Sequence, residues 1–121
     1  MDHVRNVLGG RLEICGSYPV TGYGRDGMCR ISVEDTGRHG VCSVVTEEFL
    51  RFTKQRGNDL STPSHFGFPG LKPGDRWCLC VSRWKEALKN GMAPPVILRA
   101  TSEAVLKFVT LSELSDHALN E

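Results

Sequence analysis

The stretch WCLCVSRWKEALKNG, residues 77–91, decides the reading of the fold, because its pattern changes once along its length. Over 77–81 a period of two puts Trp77, Leu79 and Val81 on one face of a strand and Cys78 and Cys80 on the other. Ser82 is then placed to cap a helix that carries Trp84 and stops at Gly91. Upstream, VCSVV at 41–45 is a short β-branched run. Thr46 follows it and caps a helix over 47–56, with Glu47 and Glu48 in the first turn, where the helix dipole favours acids, and Gly57 at its end. Phe49, Leu50 and Phe52 form its apolar face. Downstream, PVILRA at 95–100 reads as another strand. Thr101 or Ser102 caps a short helix through 107, and Ser112 caps a last one through about 119. Strands and helices alternate in the second half, and the first half is mostly strand and loop. The expectation is a single compact α+β domain with a mixed β-sheet and three or four short helices.

Two long Gly/Pro-rich loops interrupt this pattern. Residues 16–40 hold Gly16, Gly22, Gly24, Gly27, Gly37 and Gly40 with Pro19, and residues 57–76 hold four glycines and three prolines. Such density excludes a long helix or a central strand. Gly22, Gly24 and Gly27 spell GxGxxG, but MCRISVED after them has no helical period, so the motif is turn chemistry and not a dinucleotide fingerprint.

The 121 residues suit one domain, 1–121, with an ordered core over about 6–111 and 40% hydrophobic residues to build it. Fifteen Lys and Arg against fourteen Asp and Glu leave a net charge of +1, which gives no reason to expect nucleic acid or an anionic membrane as partner. Residues 1–6 lack the apolar core of a secretory signal, and no stretch approaches the length of a membrane span, so a cytoplasmic location is expected. The five cysteines are odd in number and scattered at Cys15, Cys29, Cys42, Cys78 and Cys80. In a reducing compartment they are expected to be free thiols packed as small hydrophobes, with no metal and no cofactor. A Cys78–Cys80 disulfide is disfavoured, because strand neighbours two apart lie about 6.5–7 Å from each other, at or beyond the usual Cα limit.

NVLGG at 6–10, TGYGRDG at 21–27, TEEFL at 46–50, GNDLSTP at 57–63 and FPGLKPGDRWCLC at 68–80 occur together. In these motifs the chain resembles a family of short, mainly bacterial proteins catalogued as a domain of unknown function, over about residues 6–111. The resemblance implies one soluble α+β domain and brings no substrate, cofactor or catalytic residue with it. Two positions depart from the family pattern: Gly24 stands where a bulky aromatic is usual, and Met28 where a second cysteine often sits beside Cys29.

Candidate functional residues lie mainly in the two loops. Asn58, Asp59, Ser61 and Thr62 crowd polar groups directly after a helix, the second loop adds His65, Asp75 and Arg76, and the first adds Arg25 and Asp26. Turn formation accounts for much of this. Sites are nevertheless built from such loops on a rigid scaffold, which points to a small-molecule-binding or enzymatic domain with a polar pocket between 21–40 and 57–76. Asp59 or Asp26 would be the acid or base, Ser61 and Thr62 hydrogen-bond donors, and Arg25 or Arg76 an anion contact. The alternative is a non-catalytic assembly domain, with structural loops and a homodimer surface on the apolar helices or PVILRA. A minor alternative is a thiol or zinc site built from His39, Cys42, Cys78 and Cys80. His3 and His117 lie in terminal segments, where exposure is expected.

Overall fold

The computed structural model describes residues 5–17, 20–32, 35–64 and 68–119. His3, Pro19 and His65 lie outside them. The chain forms β1 (His39–Val44), α1 (Glu47–Gln55), β2 (Arg76–Cys80), α2 (Val81–Lys89) and α3 (Leu111–Ser115), with 3-10 turns over Leu98–Ala100 and Glu103–Lys107. The architecture is α+β. β1 and β2 pair antiparallel, with Val41 opposite Leu79, Cys42 opposite Cys78 and Ser43 opposite Trp77. A register shift at Gly40 then sets His39 opposite Cys80. Glycine is required there, because a Cβ would come within 2.7 Å of side-chain carbons of both Ile31 and Val105.

Apolar residues cover both faces of this ribbon. Val41, Trp77 and Leu79 join the larger core with Phe49, Trp84, Val96 and Leu114. Cys42 and Cys78 join a smaller cluster with Cys15, Cys29, Ile97 and Ala100. The period of two in WCLC therefore sorts side chains between two cores, not between core and solvent.

Thr46 caps α1, accepting from the Phe49 N–H at 3.1 Å, and Gly57 follows the helix with a left-handed φ of 92°. Phe49 and Leu50 are buried on its inner face. Other boundaries differ from the sequence expectation. The residue capping α2 is Cys80, and Ser82 falls inside the first turn. The Val81 N–H donates to Arg38 O at 3.1 Å, and the chain enters the helix two residues earlier than Ser82 would have set it. The strand expected at 95–100 contracts to Val96, which bridges singly to Ser43 and to Ala118 before the 3-10 turn begins. The hydroxyl of Thr101 explains the break: it accepts from Cys42 N–H at 3.1 Å and donates to Ile97 O at 2.9 Å, taking the place of a ladder partner. Among the described residues the sheet is thus two-stranded and antiparallel, where a mixed sheet was expected. Ser102 caps the Glu103–Lys107 turn, and Thr110, in a capping box with Glu113, starts α3 where Ser112 was expected to. His117 sets its ring edge-on to Trp84, with centroids 5.6 Å apart.

The expectation of five free thiols is overturned. Cys15 bonds to Cys42 and Cys29 to Cys78, leaving Cys80 as the free cysteine. Residues 15 and 29 belong to irregular chain that folds over the cysteine face of the ribbon, and both bonds join positions distant in sequence. Counting local spacings could not reveal them. No helix among the described residues is long and apolar enough to cross a membrane.

Candidate functional site

The cysteine cluster is held by more than its disulfides. Cys15 N–H donates to Gly27 O at 2.7 Å, Cys42 N–H to Thr101 Oγ1, and Cys78 N–H to Thr21 Oγ1 at 2.7 Å. Cys42 O accepts from Ile97 N–H at 2.9 Å. All four residues are buried, and the Sγ atoms of Cys15, Cys29 and Cys42 lie within 4.8 Å of one another. Because Cys42 and Cys78 are joined in disulfides, neither is a free nucleophile, and the cysteines gathered at metal-ligand spacing are Cys15, Cys29 and Cys42.

A second constellation sits at the end of the same ribbon. The carboxylate of Asp35, completely buried, accepts from His39 N–H at 2.9 Å and faces His39 Nδ1 at 2.6 Å. The tight turn between them runs through Arg38, whose φ is 52°. The His39 ring is 37% exposed and stacks on Tyr23, with centroids 6.1 Å apart. Cys80 is its partner across the ladder, beyond the register shift at Gly40. Cys80 is half-buried and its Sγ faces Ser82 Oγ at 3.1 Å. It also caps α2, whose first turn carries no acidic residue. Sequence reading found His39 and Cys80 but grouped them with Cys42 and Cys78, and it missed Asp35. The separation of Asp35 and His39 by four residues was the available signal, and it was silent without the turn that closes it.

The loop residues fall into separate places. Asp59 Oδ1 accepts from Ser61 N–H at 2.9 Å and Thr62 N–H at 3.2 Å, while Oδ2 accepts from the Thr62 hydroxyl at 2.6 Å. The Thr62 hydroxyl, and after it the Ser61 N–H, hold the Asp59 carboxyl below the ordinary carboxylate value. Asp26 accepts from Met28 N–H and pairs with Arg30. Arg25 donates to Gly22 O at 2.7 Å and lays its guanidinium 5.1 Å from the Trp77 ring centroid. Ser61 lines a shallow groove of about 320 Å³ with Leu50, Arg51, Lys54, Leu71 and Lys72. Arg76 lines a different cleft, of about 420 Å³, with Ile14, Cys15, Gly16, Ser17 and Asp75. Asp59, Ser61 and Thr62 thus come together with one another, but not with Arg76.

These features define a small α+β domain with a cysteine core braced by two disulfides, and with a free cysteine opposite the histidine of a His–Asp pair in the strand ladder. The chain belongs to the family described as uncharacterised proteins conserved in bacteria, DUF2237, whose profile matches residues 5–118. No curated protein matches the chain.

Proposed function

We propose that the domain performs thiol-dependent acyl transfer at Cys80, with His39 as general base and Asp35 holding the imidazole in place. The observation that carries this reading is the buried Asp35 carboxylate on His39 Nδ1, with a free cysteine opposite the same histidine. An acid on Nδ1 directs the other ring nitrogen, Nε2, to act as the base. Cys80 turns from Ser82 toward the imidazole and passes its proton to Nε2, and the sulfur attacks the carbonyl carbon of an acyl substrate. His39 returns the proton to the leaving group as the old acyl bond breaks, and water or a second acceptor then releases the acyl group from sulfur. The first-turn N–H groups of Ser82 and Arg83 have no intrahelical acceptor and suit the developing oxyanion.

Alkylation kinetics test this reading. The rate of iodoacetamide labelling at Cys80 is expected to fall in His39→Gln and in Asp35→Asn, while hydrolysis of a thioester or activated ester is lost in Cys80→Ser. Labelling that is unchanged in His39→Gln would remove the basis for the proposal.

A second reading is favoured by the cleft beside Cys15. Arg76, Asp75 and Ser17 at its wall are the polar contacts of a small-molecule site, in keeping with the anion contact expected of Arg76. A thermal-shift screen of metabolite carboxylates and phosphates against wild type and Arg76→Gln checks it, since a ligand of the folded form raises Tm.

A further inference from the structure

We propose that Cys15, Cys29, Cys42 and Cys78 are a zinc site in the reduced protein, and that the two disulfides are its oxidised, metal-free state. This goes beyond the Cys80 reading and uses none of its residues. A tetrahedral zinc with four thiolates has Zn–S bonds of about 2.3 Å, which sets its sulfurs about 3.8 Å apart. Three of the four sulfurs already lie within 4.8 Å of one another, and the fourth is bonded to one of these three. Opening each S–S bond would let the four sulfurs spread to that spacing around one ion.

Three of the four cysteines are also held by bonds other than the disulfides. Cys42 and Cys78 are fixed opposite each other by the ribbon, and each donates its N–H to a threonine hydroxyl, Thr101 and Thr21 respectively. Cys15 is tied through its N–H to Gly27, close to Cys29 in sequence. Reduction therefore leaves four thiols presented at one point from four stretches of chain. Ile97 and Ala100 close the cluster, and every one of the four cysteines is at most 1% exposed. Four soft ligands in a closed, dry shell are the donor set of a structural zinc, with no open position for a substrate.

The redox step balances with a dithiol as reductant. Two dithiol molecules pass four electrons and four protons to the two disulfides, giving four cysteine thiols and two oxidised dithiols. Zinc then displaces the four thiol protons to solvent as its four Zn–S bonds form. Oxidation reverses this and releases the ion.

The test uses the full chain, reduced and desalted without oxygen, then titrated with cobalt(II) and with zinc. The expected result is one metal per chain. The cobalt form should show the intense thiolate charge-transfer and visible bands of a tetrahedral tetrathiolate, and zinc should displace the cobalt. In the zinc-loaded protein one thiol, Cys80, should react rapidly with a disulfide reagent, against five in the reduced metal-free chain. Cys80→Ser should leave the stoichiometry and spectrum unchanged, whereas Cys42→Ser should lose the four-sulfur spectrum. The proposal is overturned if the reduced wild-type chain takes up no metal, if its cobalt spectrum lacks the tetrathiolate bands, or if Cys80→Ser abolishes binding. The wild-type spectrum decides even if Cys42→Ser fails to fold, and a failure here leaves the His39-dependent labelling of Cys80 unaffected.

Discussion

Asp35 binds His39 twice, through the backbone N–H at 2.9 Å and the ring Nδ1 at 2.6 Å, from a carboxylate with no solvent exposure. The four-residue turn between them closes on its own acid and fixes the imidazole at the mouth of the ribbon.

Asparagine at position 35 would have to face two N–H groups with one oxygen and one NH2, so one of those donors loses its acceptor. Asp35→Asn is therefore expected to cost about 1–3 kcal/mol, the range for a buried polar group left unpaired. Asp26→Asn, on an exposed turn, is expected to stay within about 0.5 kcal/mol. Urea denaturation of the two variants measures both values. Nitrogen chemical shifts of the His39 ring should change in the first variant alone.

Phe49 is completely buried on the inner face of α1, whereas Arg51 is exposed and pairs with the exposed Glu47. Phe49→Ala is expected to cost about 3–5 kcal/mol, and Arg51→Ala less than about 1 kcal/mol. Equal denaturation midpoints for the two would contradict the placement of the helix.

The two disulfides span 27 and 49 residues of sequence. Chain-entropy arguments assign about 3–4 kcal/mol to each loop of this size. Reduction without metal is expected to lower the unfolding midpoint markedly, and zinc added to the reduced chain should restore much of it. Denaturation under three conditions, oxidised, reduced, and reduced with zinc, makes the comparison.

Asp59 ties the loop after α1 to itself through the Thr62 hydroxyl and the Ser61 N–H, which favour its ionised form. A carboxyl depressed in the folded state adds stability above its unfolded value, about 3.9, and loses it as pH falls through the folded value. The hydrogen-bond protection of Ser61 and Thr62 should therefore be constant at neutral pH and fall in acid below about pH 4. Asp59→Asn should remove that acid limb while leaving the fold intact, and amide exchange measured against pH reads both effects.

The local pattern of the chain was enough to determine the helix after Thr46, the strand at 77–81 to within a residue, and the α+β class. Each of these rests on a short-range rule: a hydroxyl three residues before an N–H, or side chains alternating along a strand. The same rules failed at 95–100, where the Thr101 hydroxyl competes for Cys42 and Ile97, partners that no window along the chain brings together. They failed also at Ser82 and Ser112, which are sound caps by composition but were displaced by bonds formed at Val81 and Thr110. The motifs were enough to indicate the family.

Which residues make the site was decided by tertiary structure. Alternation placed Cys78 and Cys80 on one face, but only the fold supplied Cys15 and Cys29 to that face and turned four scattered cysteines into two bonds. His39 was visible as an imidazole, and Asp35 became its partner only when the turn through Arg38 closed. Asp59, Ser61 and Thr62 stood out because polar residues crowd there, and the fold shows them bonding to one another. The physical reason is range. Propensity, capping and alternation act over a few residues and are written in the order of the chain, whereas sulfur–sulfur proximity and cross-strand pairing depend on how distant segments pack.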